Sequence, residues 1–275
     1  METTTFTIGG DMPVHRLGFG AMRLTGRPAS LERAAATAVA RRAVELGVTL
    51  IDTADAYDFG ANEELLAEAL HPYRDDVVIA TKGGQINLGR EWIPLGRPEY
   101  LRQQAELSLR RLRVERIDLY QLHRVDPKVP LADQVGALRR LRDEGKVRHI
   151  GLSEVTVEQL AEASRIAPIA SVQNRYNLTD RRSEAVLSHC ERHGIAFLPW
   201  LPVAPLTGAG TASAATRVAA RHGVTTTQVA LAWLLHRSPA VLPIPGTSRL
   251  AHLEENVAAA RVALDLTDLA ELDTV

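Results

Sequence analysis

Short apolar runs alternate along the chain with longer stretches in which apolar positions recur every three to four residues. The short runs are Leu17–Gly20, Val48–Asp52, Val77–Thr81, Ile117–Leu122, Val147–Gly151, Ala170–Gln173, Ile195–Leu198 and Ala240–Ile244, and they read as strands. Most are rich in Val and Ile without a strong polar break, as in parallel strands covered on both faces. Leu17–Gly20 and Ala240–Ile244 are weaker, because of their Gly and Pro residues. The periodic stretches read as helices: Leu31–Leu46, Asn62–Leu70, Arg97–Arg113, Leu131–Glu144, Thr156–Ile166, Ser183–His193, Thr225–His236 and Leu250–Ala260. Asn62 stands as an N-cap and Pro98 falls in a first turn, where proline is tolerated. Gly47, Gly145 and Gly194 follow helices at the position that favours glycine.

Before the first strand, Thr4–Arg16 reads as a hairpin turning at Gly9-Gly10. Eight strand–helix units in 275 residues, about 34 residues each, predict an α/β fold: a single (β/α)8 barrel with an N-terminal β-hairpin, one domain over 1–275. A doubly wound open sheet requires a glycine-rich turn after its first strand, and Gly18-Phe19-Gly20 lacks the third glycine. The loosest stretches, Gly83–Gly96 and Pro202–Ala212, both follow strands, so a barrel hangs both over one face.

Composition narrows the class without choosing a function. Apolar residues make up 45% and charged residues 24%, ordinary globular values. The net charge of −1 and the acidic residues among the arginines of 102–116 argue against a nucleic-acid partner. A single cysteine, Cys190, forbids an intrachain disulfide and fits a reducing, cytoplasmic setting. No apolar run is long enough to span a bilayer, and the N-terminus lacks the pattern of a signal peptide. A monomer is expected.

The chemistry stands at the C-terminal ends of the strands, where such barrels assemble active sites. Asp52, Lys82 and His123 end three consecutive strands, and Tyr57 lies five residues beyond Asp52. Singly, each has a plainer reading: a rim aromatic, a structural ion pair, a capped loop histidine. Together they suit carbonyl reduction. A tyrosine hydroxyl supplies the proton, a buried ammonium lowers its pKa, a carboxylate keeps that ammonium charged, and a histidine orients the oxygen. No residue spacing fits a metal motif. A second signal is Ile244-Pro245-Gly246-Thr247-Ser248-Arg249 leading into a helix. Small residues at a helix start expose N–H groups to an anion, and Arg249 adds a charge suited to phosphate.

On these residues the chain resembles the aldo/keto reductase family. The blocks that carry the likeness are Ile51-Asp52-Thr53-Ala54 with Tyr57, Ala80-Thr81-Lys82, Tyr120-Gln121-Leu122-His123, Ile150-Gly151-Leu152-Ser153, Val172-Gln173-Asn174 and Ile244-Pro245-Gly246-Thr247. Within the family it looks most like the bacterial pyridoxal reductase-like subset. The resemblance implies a catalytic tetrad of Asp52, Tyr57, Lys82 and His123 with Tyr57 as general acid, and NADPH (NADP+) lying across the barrel mouth. It implies Ser153, Glu154 and Gln173 at the carboxamide, and Trp200 and Pro202 beside the nicotinamide. It implies Gly246, Thr247, Ser248, Arg249 and His252 at the adenosine phosphate, and Glu255 and Asn256 near the adenine. Three positions depart from the family: Glu154 replaces the usual Asn, Trp200 the more frequent Tyr, and His252 a common Arg or Lys. Met22, Phe59, Ile86, Trp92 and Arg124 are candidate substrate-pocket residues. The expected reaction is NADPH-dependent reduction of an aldehyde or ketone, with pyridoxal or another small aromatic aldehyde as substrate. Two alternatives stand beside it: a non-catalytic NADPH-binding regulatory or redox-sensing subunit, and a cofactor-free aldolase using Lys82 as a Schiff-base nucleophile.

Overall fold

The computed structural model describes residues 4–26, 32–89, 91–204 and 209–273. A hairpin of β1 (Thr5–Ile8) and β2 (Met12–His15) comes first. Seven parallel strands then lie side by side in the order β3 (Phe19–Gly20), β4 (Leu50–Asp52), β5 (Val78–Gly83), β8 (Ile117–Leu122), β9 (Val147–Ser153), β10 (Ile169–Gln173) and β11 (Ala196–Phe197). A small antiparallel hairpin, β6 (Gln85–Asn87) with β7 (Trp92–Pro94), stands between β5 and β8 in the chain, above the barrel mouth.

Helices cover the outside: α1 (Arg33–Glu45), α2 (Ala61–Leu70), α3 (Pro98–Leu112), α4 (Leu131–Asp143), α5 (Val157–Ser164), α6 (Glu184–His193), α7 (Ala209–His222), α8 (Thr226–Arg237), α9 (Leu250–Ala258) and α10 (Leu266–Asp273). Local sequence sets several of their ends. Thr156 and Thr225 each form a capping box with the glutamine three residues on, Gln159 and Gln228. Gly194, at φ 65°, ends α6. Asn62 is no N-cap: α2 starts one residue earlier. The Asn62 side chain is buried, accepting from Thr53 Oγ1 at 2.7 Å and donating to Ala21 O at 2.9 Å. Leu31, the expected start of the first helix, lies outside the described residues.

The eighth strand expected at Ala240–Ile244 is only a bridge, Val241 to Phe197, yet this segment closes the ring. Phe197 N donates to Ala240 O and Leu242 N to Phe197 O, both at 2.8 Å. On the other side Gly18 N donates to Pro243 O at 2.9 Å and Gly20 N to Pro245 O at 3.3 Å. Pro243 and Pro245 have no N–H to return, so this seam is bonded one way and no regular ladder forms. The close approach also explains the glycines. A Cβ on Gly20 would stand 2.7 Å from Ile244 O, and one on Gly18 3.1 Å from Ile244 Cγ2 across the seam and 2.9 Å from Leu50 O on the β4 side.

Side chains alternate in and out of the barrel with the period of two that strands impose. Leu50, Val78, Ala80, Leu119, Ala196, Leu198, Leu242 and Ile244 point inward and pack with Ile8, Met12 and Val14 of the hairpin, which plugs the floor. Ile51, Ile79, Tyr120, Leu122, Ile150 and Val172 point outward, under the helices. On three neighbouring strands the same alternation places a polar residue two positions above the last inner apolar one: Asp52 above Leu50, Lys82 above Ala80, Gln121 above Leu119. β5 runs two residues further than expected, to Gly83, so Lys82 sits in the rigid strand and not in the loop.

Four elements were not expected from sequence: β6, β7, α7 and α10. Gly83–Gly96 holds the β6–β7 hairpin. The stretch expected to be loose through Ala212 turns helical at Ala209. α10 packs its buried Leu272 into the main core. Cys190 is fully buried, and burial pushes its thiol up to about 12, which leaves it a packing residue.

Candidate active site

The inner polar layer converges on Lys82. Its side chain is fully buried, and Nζ donates to Asp52 Oδ2 at 2.6 Å, Thr53 O at 2.8 Å and Tyr57 Oη at 3.2 Å. Asp52 Oδ1 accepts from Gln173 Nε2 at 2.8 Å and Gln121 Nε2 at 3.2 Å. Gln173, expected at a nicotinamide carboxamide, thus also holds the carboxylate. Burial alone pulls the Lys82 pKa down, but Asp52 and Tyr57 outweigh it, so the ammonium is raised above its ordinary value and stays charged. A Schiff-base lysine needs a free amine, and this environment opposes one.

Tyr57 stands on a short 3-10 turn, Tyr57–Gly60, whose Asp58 and Phe59 take left-handed φ values of 51° and 55°. Burial raises the Tyr57 hydroxyl above the ordinary tyrosine value, and Lys82 only partly opposes this. The expected net lowering by Lys82 is therefore reversed: desolvation wins and the hydroxyl stays protonated. The rings of Tyr57, Trp92 and His123 stand edge to face, 5.8 Å apart for Tyr57–His123, 6.4 Å for Tyr57–Trp92 and 6.1 Å for Trp92–His123. His123 is held well below its ordinary pKa by burial, then by the nearby charges of Lys82 and Arg124. It is a neutral imidazole whose Nδ1 is buried without a partner among the described residues.

These groups line one end of a cavity of about 930 Å³, toward the upper end of the usual range for ligand sites. Its far end is lined by Gly246, Thr247, Ser248, Arg249, His252, Glu255 and Asn256, around the N-terminus of α9. No side chain caps that helix start, which leaves its first N–H groups for an anion beside Arg249, a cavity-lining residue. Trp200 and Pro202 line the same cavity.

The model of the aldo/keto reductase family matches residues 16–275. The chain belongs to the aldo/keto reductase family and is an oxidoreductase. An uncharacterized oxidoreductase of Schizosaccharomyces pombe is 48% identical over 268 residues, 96% of this chain and 87% of the relative. Pyridoxine 4-dehydrogenase of Escherichia coli is 40% identical, covering 100% of this chain and 99% of the relative. Among solved structures, a thermostable aldo-keto reductase in complex with the inhibitor epalrestat superposes with a TM-score of 0.88 at 29% identity, covering 99% of each chain. An aldo-keto reductase of Klebsiella pneumoniae in complex with NADPH gives 0.85 at 30% identity, covering 100% of this chain and 95% of that one.

Some expected site residues of this aldo/keto reductase stand elsewhere. Phe59 is 77% exposed and Ile86 faces its β-hairpin partner Ile93; neither lines the cavity, whereas Met22, Trp92 and Arg124 do. Ser153 is buried behind the wall, donating to Gln173 O at 2.8 Å and accepting from Arg124 Nη1 at 3.0 Å. Glu154 does not line the cavity either. Its Oε1 accepts from Trp200 Nε1 at 2.6 Å and Arg175 N at 2.7 Å, so it holds the indole in place. Glu255 accepts from Thr225 Oγ1 at 2.6 Å, which ties α9 to α8. Sequence reading missed Arg23, which lines the cavity beside Gly246; its place just beyond the end of β3 was the available signal. Among the described residues no cluster is arranged to hold a metal ion, and no helix is long and apolar enough to cross a membrane.

Proposed function

We propose that the chain, acting as one catalytic unit, uses NADPH to reduce a small aldehyde, with Tyr57 donating the proton to the carbonyl oxygen. The observation that carries this reading is the Lys82 ammonium within hydrogen-bond reach of both Asp52 and the Tyr57 hydroxyl, at 2.6 and 3.2 Å. Asp52 keeps Lys82 charged. Lys82 stabilises the phenolate left when Tyr57 gives up its proton, and in the reverse direction that same phenolate accepts one. Neutral His123 points the carbonyl oxygen toward Tyr57 and stabilises the charge that develops on it.

The cavity fits the cofactor at both ends. The α9 N-terminus with Thr247, Ser248 and Arg249 suits a phosphate, and Trp200, fixed by Glu154, offers a flat face to a planar ring. Bound there, NADPH supplies the hydride. The pyridoxine dehydrogenase relative and the aromatic wall of Tyr57, Trp92 and His123 support a small aromatic aldehyde such as pyridoxal as substrate. Fluorescence titration with NADPH, then an aldehyde panel followed by NADPH absorbance, tests the reading. Tight binding with turnover supports it, and absence of binding removes it.

Two further outcomes are expected. Arg249 is exposed at the cavity end and makes no ion pair among the described residues. Arg249→Ala therefore weakens NADPH about tenfold, the lower range for a charge-assisted hydrogen bond, and NADH by less than threefold. Equal losses in a paired titration remove its role at the 2′-phosphate. The second outcome concerns pH. His123 is held below its usual pKa and Tyr57 above its own, so neither titrates between about pH 6 and 8. The kcat for reduction is flat across that interval and falls only on the alkaline side, as Tyr57 loses its proton. A step near the ordinary histidine value in the pH–rate profile contradicts the neutral imidazole.

A further inference from the structure

Arg124 follows His123 directly at the mouth of β8 and lines the cavity. Its Nη1 donates to His123 O at 2.6 Å and to Ser153 Oγ at 3.0 Å. Those bonds tie the guanidinium to the residue whose ring stands 5.8 Å from Tyr57 and 6.1 Å from Trp92. A guanidinium carries five N–H donors in a planar fork. Nη1 accounts for two; Nε and Nη2 engage no acceptor among the described residues.

No carboxylate touches the Arg124 guanidinium among the described residues. Glu154 acts on Arg124 through space, but makes no ion pair with it; its Oε1 accepts from Trp200 Nε1 and Arg175 N. Asp52 is taken by Lys82, Gln173 and Gln121. Many other arginines of this chain lie in ion pairs with Asp or Glu, such as Arg102 with Glu144 and Arg221 with Asp268. Arg124 makes none among the described residues, although it is half-buried and burial lowers its pKa against the through-space pull of Glu154. Its position also separates it from the phosphate end of the cavity. That end has its own cation beside Gly246, Arg23, and Arg249 at the start of α9. Arg124 instead stands beside the Trp200 ring, 5.9 Å from its centroid, at the end that holds Tyr57 and His123.

We propose that Arg124 is the specificity-determining residue of this site and selects aldehydes that carry an anionic oxygen group, a carboxylate or a phosphate, a few atoms from the carbonyl. The inference rests on the reductase reading and gives it a substrate class. The aromatic wall takes the flat body of the substrate, Tyr57 and His123 take the carbonyl oxygen, and the open side of the guanidinium fork takes two oxygens of the anion. Lysine keeps the charge but not the fork, so Arg124→Lys is only a partial replacement.

The test measures kcat/KM with saturating NADPH for matched pairs: 2-, 3- and 4-formylbenzoate against their methyl esters, and pyridoxal 5′-phosphate against pyridoxal. The readout is the charged-to-neutral ratio within each protein, which is independent of the fraction of active enzyme and of any loss common to both substrates. In the wild type at least one pair favours the anion by tenfold or more. Arg124→Met lowers that ratio about 30-fold, equivalent to about 2 kcal/mol, and Arg124→Lys restores part of it. The pair that responds says whether a carboxylate or a phosphate fits. Turnover with no preference for the anion in any pair overturns the inference and leaves the reductase reading standing, as does a ratio that Arg124→Met leaves unchanged. No turnover of any aldehyde by wild-type protein with NADPH bound removes the reductase reading, and this inference with it.

Discussion

Tyr57→Phe is expected to lose aldehyde reduction by about a thousandfold in kcat, within the range general acid catalysis supplies, while NADPH binding stays within about twofold of wild type. The substitution removes one oxygen atom. The phenylalanine ring keeps its edge contacts with Trp92 and His123, so the wall and the turn that carries it survive. Lys82 loses the 3.2 Å contact to the hydroxyl but keeps Asp52 and Thr53 O. No cavity residue at the Gly246–Asn256 end is touched. What disappears is a proton that burial holds on the oxygen at neutral pH and that Lys82 helps release. Single-turnover NADPH oxidation, paired with a fluorescence titration, separates the chemical step from binding. A variant that reduces aldehydes at the wild-type rate takes the proton donor away from Tyr57 and turns attention to His123.

The architecture was legible because strands and helices of a closed barrel repeat, and because inner polar residues interrupt an otherwise apolar alternation at one end. Asp52, Lys82 and His123 stood out for that reason, and the geometry brings them together with Tyr57. The seam was harder to read. Gly18, Gly20, Pro243 and Pro245 weaken strand propensity, yet the two glycines let two segments approach closely where the ring closes. α7 was missed because its buried face is mostly small: Ala214, Ala215, Val218 and Ala219 follow a helical stripe without large apolar residues. The β6–β7 hairpin hid between glycines, and with it the reason Trp92 reaches the site while Ile86 does not.

Glu154 shows what one sequence position cannot reveal alone. Its φ of 54° is a left-handed backbone that favours Asn, the residue the family usually places there. With Glu, the longer side chain reaches the Trp200 indole. The departures at positions 154 and 200 are thus one arrangement: an indole N–H needs an acceptor, and a glutamate supplies it. Neither residue predicts this without knowing that they touch. The same holds for Arg124, whose significance depends on which acids nearby are already engaged.

Lys82→Met is expected to cost both activity and stability, and the two losses can be separated. Lys82 and Asp52 form a pair whose side chains are 0% and 4% exposed. Removing one member of such a pair leaves a buried charge uncompensated, which costs about 3–5 kcal/mol. Gln121 and Gln173 still donate to the Asp52 carboxylate, which places the loss toward the lower end. At about 2–4 °C per kcal/mol for a chain near this size, the midpoint of thermal unfolding falls by about 10 °C. Reduction by the protein that remains folded falls at least about a thousandfold, because Tyr57 loses the cation that stabilises its phenolate. The direction of the pH effect follows. Lys82 lowers the Tyr57 pKa against the pull of burial, so without it the hydroxyl stays protonated to still higher pH. Residual reduction then persists further into alkali, while residual alcohol oxidation, which needs the phenolate, is lost over a wider range. Asp52→Leu combined with Lys82→Met replaces the pair by apolar groups and recovers most of the midpoint without recovering turnover. Rescue of turnover in that double variant would mean that Lys82 serves the fold and not the proton transfer, and an unchanged pH profile in the single variant would mean the same.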